Sequence, residues 1–248
     1  MGRFERGIGA ASIALWPLCF GVADGLRLIA IGDGDQVGDG GVSRQQQAVA
    51  ETGSVAAHLV LFQVVSWLFL AAALLTVPAA LSIWSLSVGR SRAWAWTGVV
   101  MAMLGVVGQL VHVVVEFGLQ QAYASGFDAT AGFTLDQLLQ HQVFVSVMFA
   151  PFFLVVLAPI VQAIGLRRAR VTPIWAVGVV VIGSAVAVGV GSVNWSSAVV
   201  AVLWVAGTTP AALVLVRGNR GGSDARPIGS VSAAASTGGP RVDRPTPR

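Results

Sequence analysis

Gly105, Gln109, His112 and Glu116 follow one another at steps of four, three and four within an apolar stretch. That spacing puts their side chains on one stripe of an α-helix. An imidazole one turn from a carboxylate can exchange a proton with it, and an amide one turn further along can orient a polar solute. Asp24 and Arg27, three residues apart in another apolar stretch, form a second ionisable pair, and His58 and His141 stand at the edges of two more. Ionisable groups in lipid are costly and are kept where they face protein interior or water, so Asp24, Arg27, His58, Gln109, His112, Glu116 and His141 make up the candidate site. Two chemistries fit these residue types. One is a proton-linked pocket for a small molecule with His112 and Glu116 titrating; the other is a haem or metal centre with His58, His112 and His141 as ligands. A purely structural role also fits, with Arg27 pairing with Asp24 or reaching the headgroups and Glu116 meeting interfacial water. No HxxxH or similar spacing supports a metal, so no cofactor is expected.

No phosphate-binding loop, nucleophile elbow or zinc-protease helix occurs, and no catalytic residue is assigned. Asp33, Asp35, Gly38 and Asp39 match four positions of a calcium loop. Val37 and Arg44 stand where ligands are needed, so this reads as an acidic surface loop.

The elements that would position these groups follow from composition. Of 248 residues, 55% are hydrophobic and 10% charged, with a mean hydropathy of +0.78. A soluble domain carries about 25% charge, so this chain cannot cover a water-facing surface with polar groups. Six apolar segments, 8–31, 58–88, 93–117, 143–166, 171–192 and 196–216, hold three of the 26 charges: Asp24, Arg27 and Glu116. Each is long enough as a helix to cross a hydrocarbon layer of about 30 Å. The expected fold is an all-α, six-helix transmembrane bundle of antiparallel hairpins. Residues 217–248, rich in Gly, Pro, Ser and Arg without apolar periodicity, are expected to be a disordered cytosolic tail.

Arginine placement sets the orientation. With both termini inside, the cytoplasmic face carries thirteen arginines and the acids Glu5, Asp224 and Asp243, while the outer loops carry Arg44 and six acids. This is the positive-inside pattern. It also accounts for a pI near 10.9 without nucleic acid as a partner; the basic face meets lipid headgroups. In that orientation the three histidines belong to the outer half. Every basic residue is arginine, the mark of a GC-rich bacterial genome, so the expected location is a bacterial cytoplasmic membrane. Cys19 is the one cysteine, which excludes paired-thiol redox chemistry. Gly21-Val22-Ala23 resembles a signal-peptidase site, but apolar character resumes at Leu26, and the first segment reads as a full span.

Two outer stretches carry capping boxes, Ser43-Arg44-Gln45-Gln46 and Thr134-Leu135-Asp136-Gln137, the second predicting a helix start near Leu135. Short inner turns at Gly89 to Arg92 and at Arg167 to Arg170 predict hairpins. Gly183, Ala187 and Gly191 share one helical row, a small-residue face suited to a neighbouring helix or a membrane-protein partner. Trp84, Trp94 and Trp96 fall at the inner interface as anchors. With its long outer loop, its histidine before the fourth segment and the run from Gly165 to Trp175 (Gly-Leu-Arg-Arg-Ala-Arg-Val-Thr-Pro-Ile-Trp), the chain resembles uncharacterised multi-pass membrane proteins common in actinobacteria. The resemblance covers residues 55–216 at the level of topology. It implies a membrane bundle and carries over no activity or catalytic residue.

Overall fold

The computed structural model describes residues 2–31, 53, 55, 57–124, 142–189 and 196–218. All regular structure among them is α-helical, in six helices: α1 Arg3–Ile31, α2 Leu59–Ser87, α3 Arg92–Ala124, α4 Gln142–Arg168, α5 Ile174–Gly189 and α6 Ser196–Arg217. The two capping boxes, the acidic loop, His141, Gly191 and the tail beyond Gly218 lie outside the described residues.

Four stretches are long and apolar enough to cross a membrane: Phe4–Ala30, Leu59–Ser87, Arg92–Gly118 and Ser196–Arg217. Six spans are expected from the sequence, so two do not meet that measure among the described residues. The described α5 has 16 residues, about 24 Å of helix against a hydrocarbon layer of about 30 Å. In α4 the side chains of 142–149 are outside the description, and Pro151 and Pro159 interrupt its ladder. The third helix runs past its sequence-derived end at 117 to Ala124. Its last turns are polar, and an apolarity criterion stops before them.

Outside the aromatic centre, several helices expose large apolar side chains and fill much of the buried face with small ones. On α2, Val60, Trp67, Leu74 and Leu81 are exposed by 75, 62, 58 and 47%, while Ser66, Ala72, Ala73, Thr76, Ala79 and Ala80 are buried. A water-soluble helix does the reverse. Lipid is as apolar as leucine and gives helices no hydrophobic reason to associate, so they must approach closely enough for dispersion contacts and hydrogen bonds. Each helix packs on the next, and α6 returns to α1, which closes a ring. Along the α3–α4 seam Trp94 meets Gly165, Gly98 meets Gln162 and Gly105 meets Val155, so numbering rises on one helix as it falls on the other. At Gly105 a Cβ would stand 2.8 Å from the Val155 backbone nitrogen, and at Gly207 one would stand 2.9 Å from the Ala176 carbonyl oxygen.

The centre is aromatic. Trp204 on α6 is fully buried and stacks against Trp16 at 5.1 Å and Phe20 at 6.0 Å, both on α1. Its indole N–H donates to Ser184 Oγ on α5 at 3.2 Å, and that hydroxyl donates to the Val156 carbonyl on α4 at 3.0 Å. One side chain thus joins four helices. Gly183 lies beneath it, with Leu203 and Trp204 close over the position of a Cβ, so this part of the small-residue face is covered by α6 of the same chain.

The turn after α4 is a Schellman closure. The Val171 N–H bonds to the Leu166 carbonyl at 2.9 Å and the Arg170 N–H to the Arg167 carbonyl at 2.9 Å, with Arg170 at φ 61° and Pro173 barring further helix. Arg90, from the turn between α2 and α3, donates to the Ala169 carbonyl at 3.2 Å, and Arg168 lies 5.2 Å over the Trp94 ring. Trp84 and Trp96 stack edge to face at 5.3 Å at the same arginine-bearing end.

Opposite effects are expected at two of these positions. Arg170→Gly, relieving a left-handed backbone, stabilises the protein by about 1 kcal/mol. Gly105→Ala, which drives a methyl into α4 backbone, destabilises it by about 1–3 kcal/mol. Unfolding in a mild detergent checks both; a neutral Gly105→Ala would show that the α3–α4 seam is looser than described.

Candidate functional site

Four helices bring polar side chains into the half of the bundle away from the arginines. On α3, Gly105 is consumed by the contact with α4, and the three residues beyond it carry the chemistry. His112 Nε2 lies 3.4 Å from Glu116 Oε1, with the side chains 22% and 19% exposed. This is the i, i+4 pair expected from the spacing. The imidazole edge rests on Phe69 of α2, ring centres 6.3 Å apart, and Arg27 of α1 is within electrostatic range of Glu116. One turn deeper, Gln109 is 2% exposed, and neither its amide nitrogen nor its amide oxygen has a hydrogen-bond partner among the described residues. A buried amide without partners costs on the order of 1–3 kcal/mol, and Gln109 is unsatisfied at both ends, whereas Gln120 on the same helix lacks a partner only at its oxygen.

Asp24 goes elsewhere. It is 2% exposed and accepts a hydrogen bond from the Ser197 hydroxyl at the start of α6. In place of the expected Asp24–Arg27 pair, the carboxylate turns to α6. Phe20 and Asp24 lie on the row facing α6. Ala23 packs with Val65, Phe69 and Val113 of α2 and α3, and Arg27, one turn on from it, follows that row toward Glu116.

His58 stands exposed at the N-cap of α2, with no side-chain cap bond. His141 lies outside the described residues. Among the described residues no group of three or more His, Cys, Asp or Glu could hold a metal ion. The sequence reading missed Gln120, which is 4% exposed and donates to Ser66 Oγ at 2.9 Å and toward the Phe62 carbonyl at 3.5 Å. It continues the stripe one turn past Glu116, and that register was the available signal. Ser197 was missed because a serine opening an apolar segment looks like a cap.

Compared with protein families, curated proteins and solved structures, the chain matches none. Its chemistry therefore has to be argued from its own residues: a titratable pair, a cation within range of it and an unpaired buried amide on one helix.

The Ser197–Asp24 bond carries a stability expectation. Ser197→Ala leaves the buried Asp24 carboxylate without its α6 donor and destabilises the protein by about 1–3 kcal/mol, whereas Ser197→Thr retains the hydroxyl and most of the stability. Comparative unfolding in detergent at neutral pH checks this; equal stability of the alanine variant would mean that Asp24 is satisfied by other means.

Proposed function

We propose that this chain is a non-enzymatic, multi-pass component of a bacterial cytoplasmic membrane, with six spans in antiparallel hairpins and both termini inside. Its outer-half cluster acts as a proton-linked binding site for a small polar solute, in the manner of a small transporter or outward-facing binding protein. The observation that carries the site reading is the His112–Glu116 pair within a spanning helix, with Gln109 unsatisfied beside it. A stabilising network would satisfy its amide. Support for the hairpins comes from the short turns and from the falling register along the α3–α4 seam. Support for the orientation comes from thirteen arginines falling to one side. The chemistry that makes the pair suited to proton linkage is that an imidazole and a carboxylate can share a proton.

Trp67 packs edge-on against Phe117 at 5.6 Å, one residue from Glu116, and offers an optical readout. Tryptophan emission of the reconstituted protein, titrated between about pH 8 and 5, is expected to show a transition that is lost in both His112→Ala and Glu116→Gln. A transition that survives in both variants sinks the proton-linked site. Orientation is read separately: in a Cys19→Ala background, a cysteine placed at Gly126 reacts with a membrane-impermeant thiol reagent on intact cells. Reaction only after lysis reverses the topology.

A further inference from the structure

At the arginine-bearing end, the last turns of α6 run between two grooves. The larger, about 770 Å³, is walled by Pro173 and Trp175 at the start of α5 and by Ala206, Pro210 and Leu213 of α6, and Arg217 lines it at the helix terminus. The smaller, about 380 Å³, lies on the other side of α6, shares Val214 and Gly218 with the first, and is lined by Arg6 of α1. The Arg6 guanidinium comes within 3.8 Å of where a side chain on Gly218 would be. Two cations therefore flank one helix end, each at a groove.

The chemistry of the walls selects the occupant. Thr209, the hydroxyl in the larger groove, donates to the Val205 carbonyl of its own helix at 2.6 Å. Apart from the Trp175 indole N–H, the remaining side chains of the wall, from Val171 and Pro173 to Ala206, Pro210, Leu213 and Val214, are apolar until Arg217 is reached. Ile174 and Trp175, at the head of α5, are 66% and 54% exposed, so the groove opens onto an apolar surface, as a membrane-facing cleft does. An apolar trough ending in guanidinium groups fits a chain of methylenes ending in a phosphate, with the arginines as bidentate phosphate partners.

We propose that this cleft, between the start of α5 and the last two turns of α6, with Arg217 at its end and Arg6 reaching Gly218 from the far side of the helix terminus, is a seat for one anionic phospholipid whose phosphate lies over that terminus. The assignment rests on α6 lying in a bilayer and is independent of the proton-linked reading of the outer cluster. A free phosphate would use the arginines alone and leave the trough empty; a lipid uses both.

The test is native mass spectrometry of the full chain in a neutral detergent, titrated with phosphatidylglycerol and with phosphatidylcholine of the same acyl chains. Wild type is expected to retain one phosphatidylglycerol about tenfold more tightly than phosphatidylcholine, since each basic side chain near a phosphate adds a severalfold preference. In R6Q/R217Q that preference falls to about twofold or less, while R167Q/R170Q, which removes the same charge from the neighbouring turn, keeps it. Ala206→Trp, which fills the trough without altering either arginine, lowers retention of both lipids. Equal retention of the two lipids by wild type overturns the assignment, as does equal loss of preference in the two double variants. Absence of retained lipid, with the cleft filled by residues 219–248 or by a second copy of the chain, overturns it too.

Discussion

The bundle depends on the hydrogen-bonded chain from the Trp204 indole through the Ser184 hydroxyl to the Val156 carbonyl. In lipid, apolar area supplies no preference for one helix neighbour over another. Specificity has to come from groups that lipid cannot satisfy and from shapes that let helices touch. Trp204 supplies both: a ring that stacks on two aromatics of α1 and an N–H that needs a partner on α5. The small residues around it, Gly183 beneath the ring and Gly207 one turn along α6, let α5 come close enough for the bond to form. Ala, Gly and Ser along the rest of the seams let the backbones approach where no aromatic ring fills the space.

That constraint separates the outer polar groups into two kinds. Asp24 with Ser197 and Gln120 with Ser66 are hydrogen-bonded pairs between helices, on the α1–α6 and α2–α3 seams. They do for the end of the bundle away from the arginine-bearing turns what the Trp204 chain does for the middle, although Gln120 keeps an unpartnered amide oxygen. Gln109 is different, because a helix seam gains nothing from an amide with no partner; alanine would pack there at less cost. His112 and Glu116 are partly exposed and pair along α3, with Phe69 of α2 and Arg27 of α1 beside them.

What was legible in the sequence follows the physics of each level. Apolar length and arginine placement are properties of segments, and they survive without knowledge of neighbours, so helical character and the starts of α2, α3 and α5 could be read to within about three residues, while the expected start of the fourth helix near Leu135 lies outside the described residues. The exception is α1, which begins at Arg3, five residues before its apolar run, because helix continues through charged residues at an interface. The i, i+4 register of His112 and Glu116 was likewise local and was realised. Pairings between helices were not legible. Whether Asp24 would turn to Arg27 or to Ser197 depends on which helix stands beside each row of α1, and that is set by how the ring closes. Gln120 was lost because a polar residue beyond an apolar run counts as loop in any hydropathy reading, although helix periodicity continued through it.

The same ring closure explains why the unsatisfied amide is on α3. Continuing the α3–α4 register one turn beyond the Gly105–Val155 contact sets Gln109 level with Pro151, which lies inside α4. A proline has no N–H to give to the carbonyl four residues before it, so α4 lacks one backbone bond in that region. A side-chain amide with two free valences and a helix short of one donor meet at nearly the same depth, one turn from a titratable pair. In a bilayer such deficits are kept only where water or a polar solute can reach them. On the proposed reading, the donor that Pro151 withholds from α4 lies at about the depth of the polar side chains of α3. A residue in place of Pro151 that restored the N–H would remove one reason for a solute to enter and leave the His112–Glu116 pair in place.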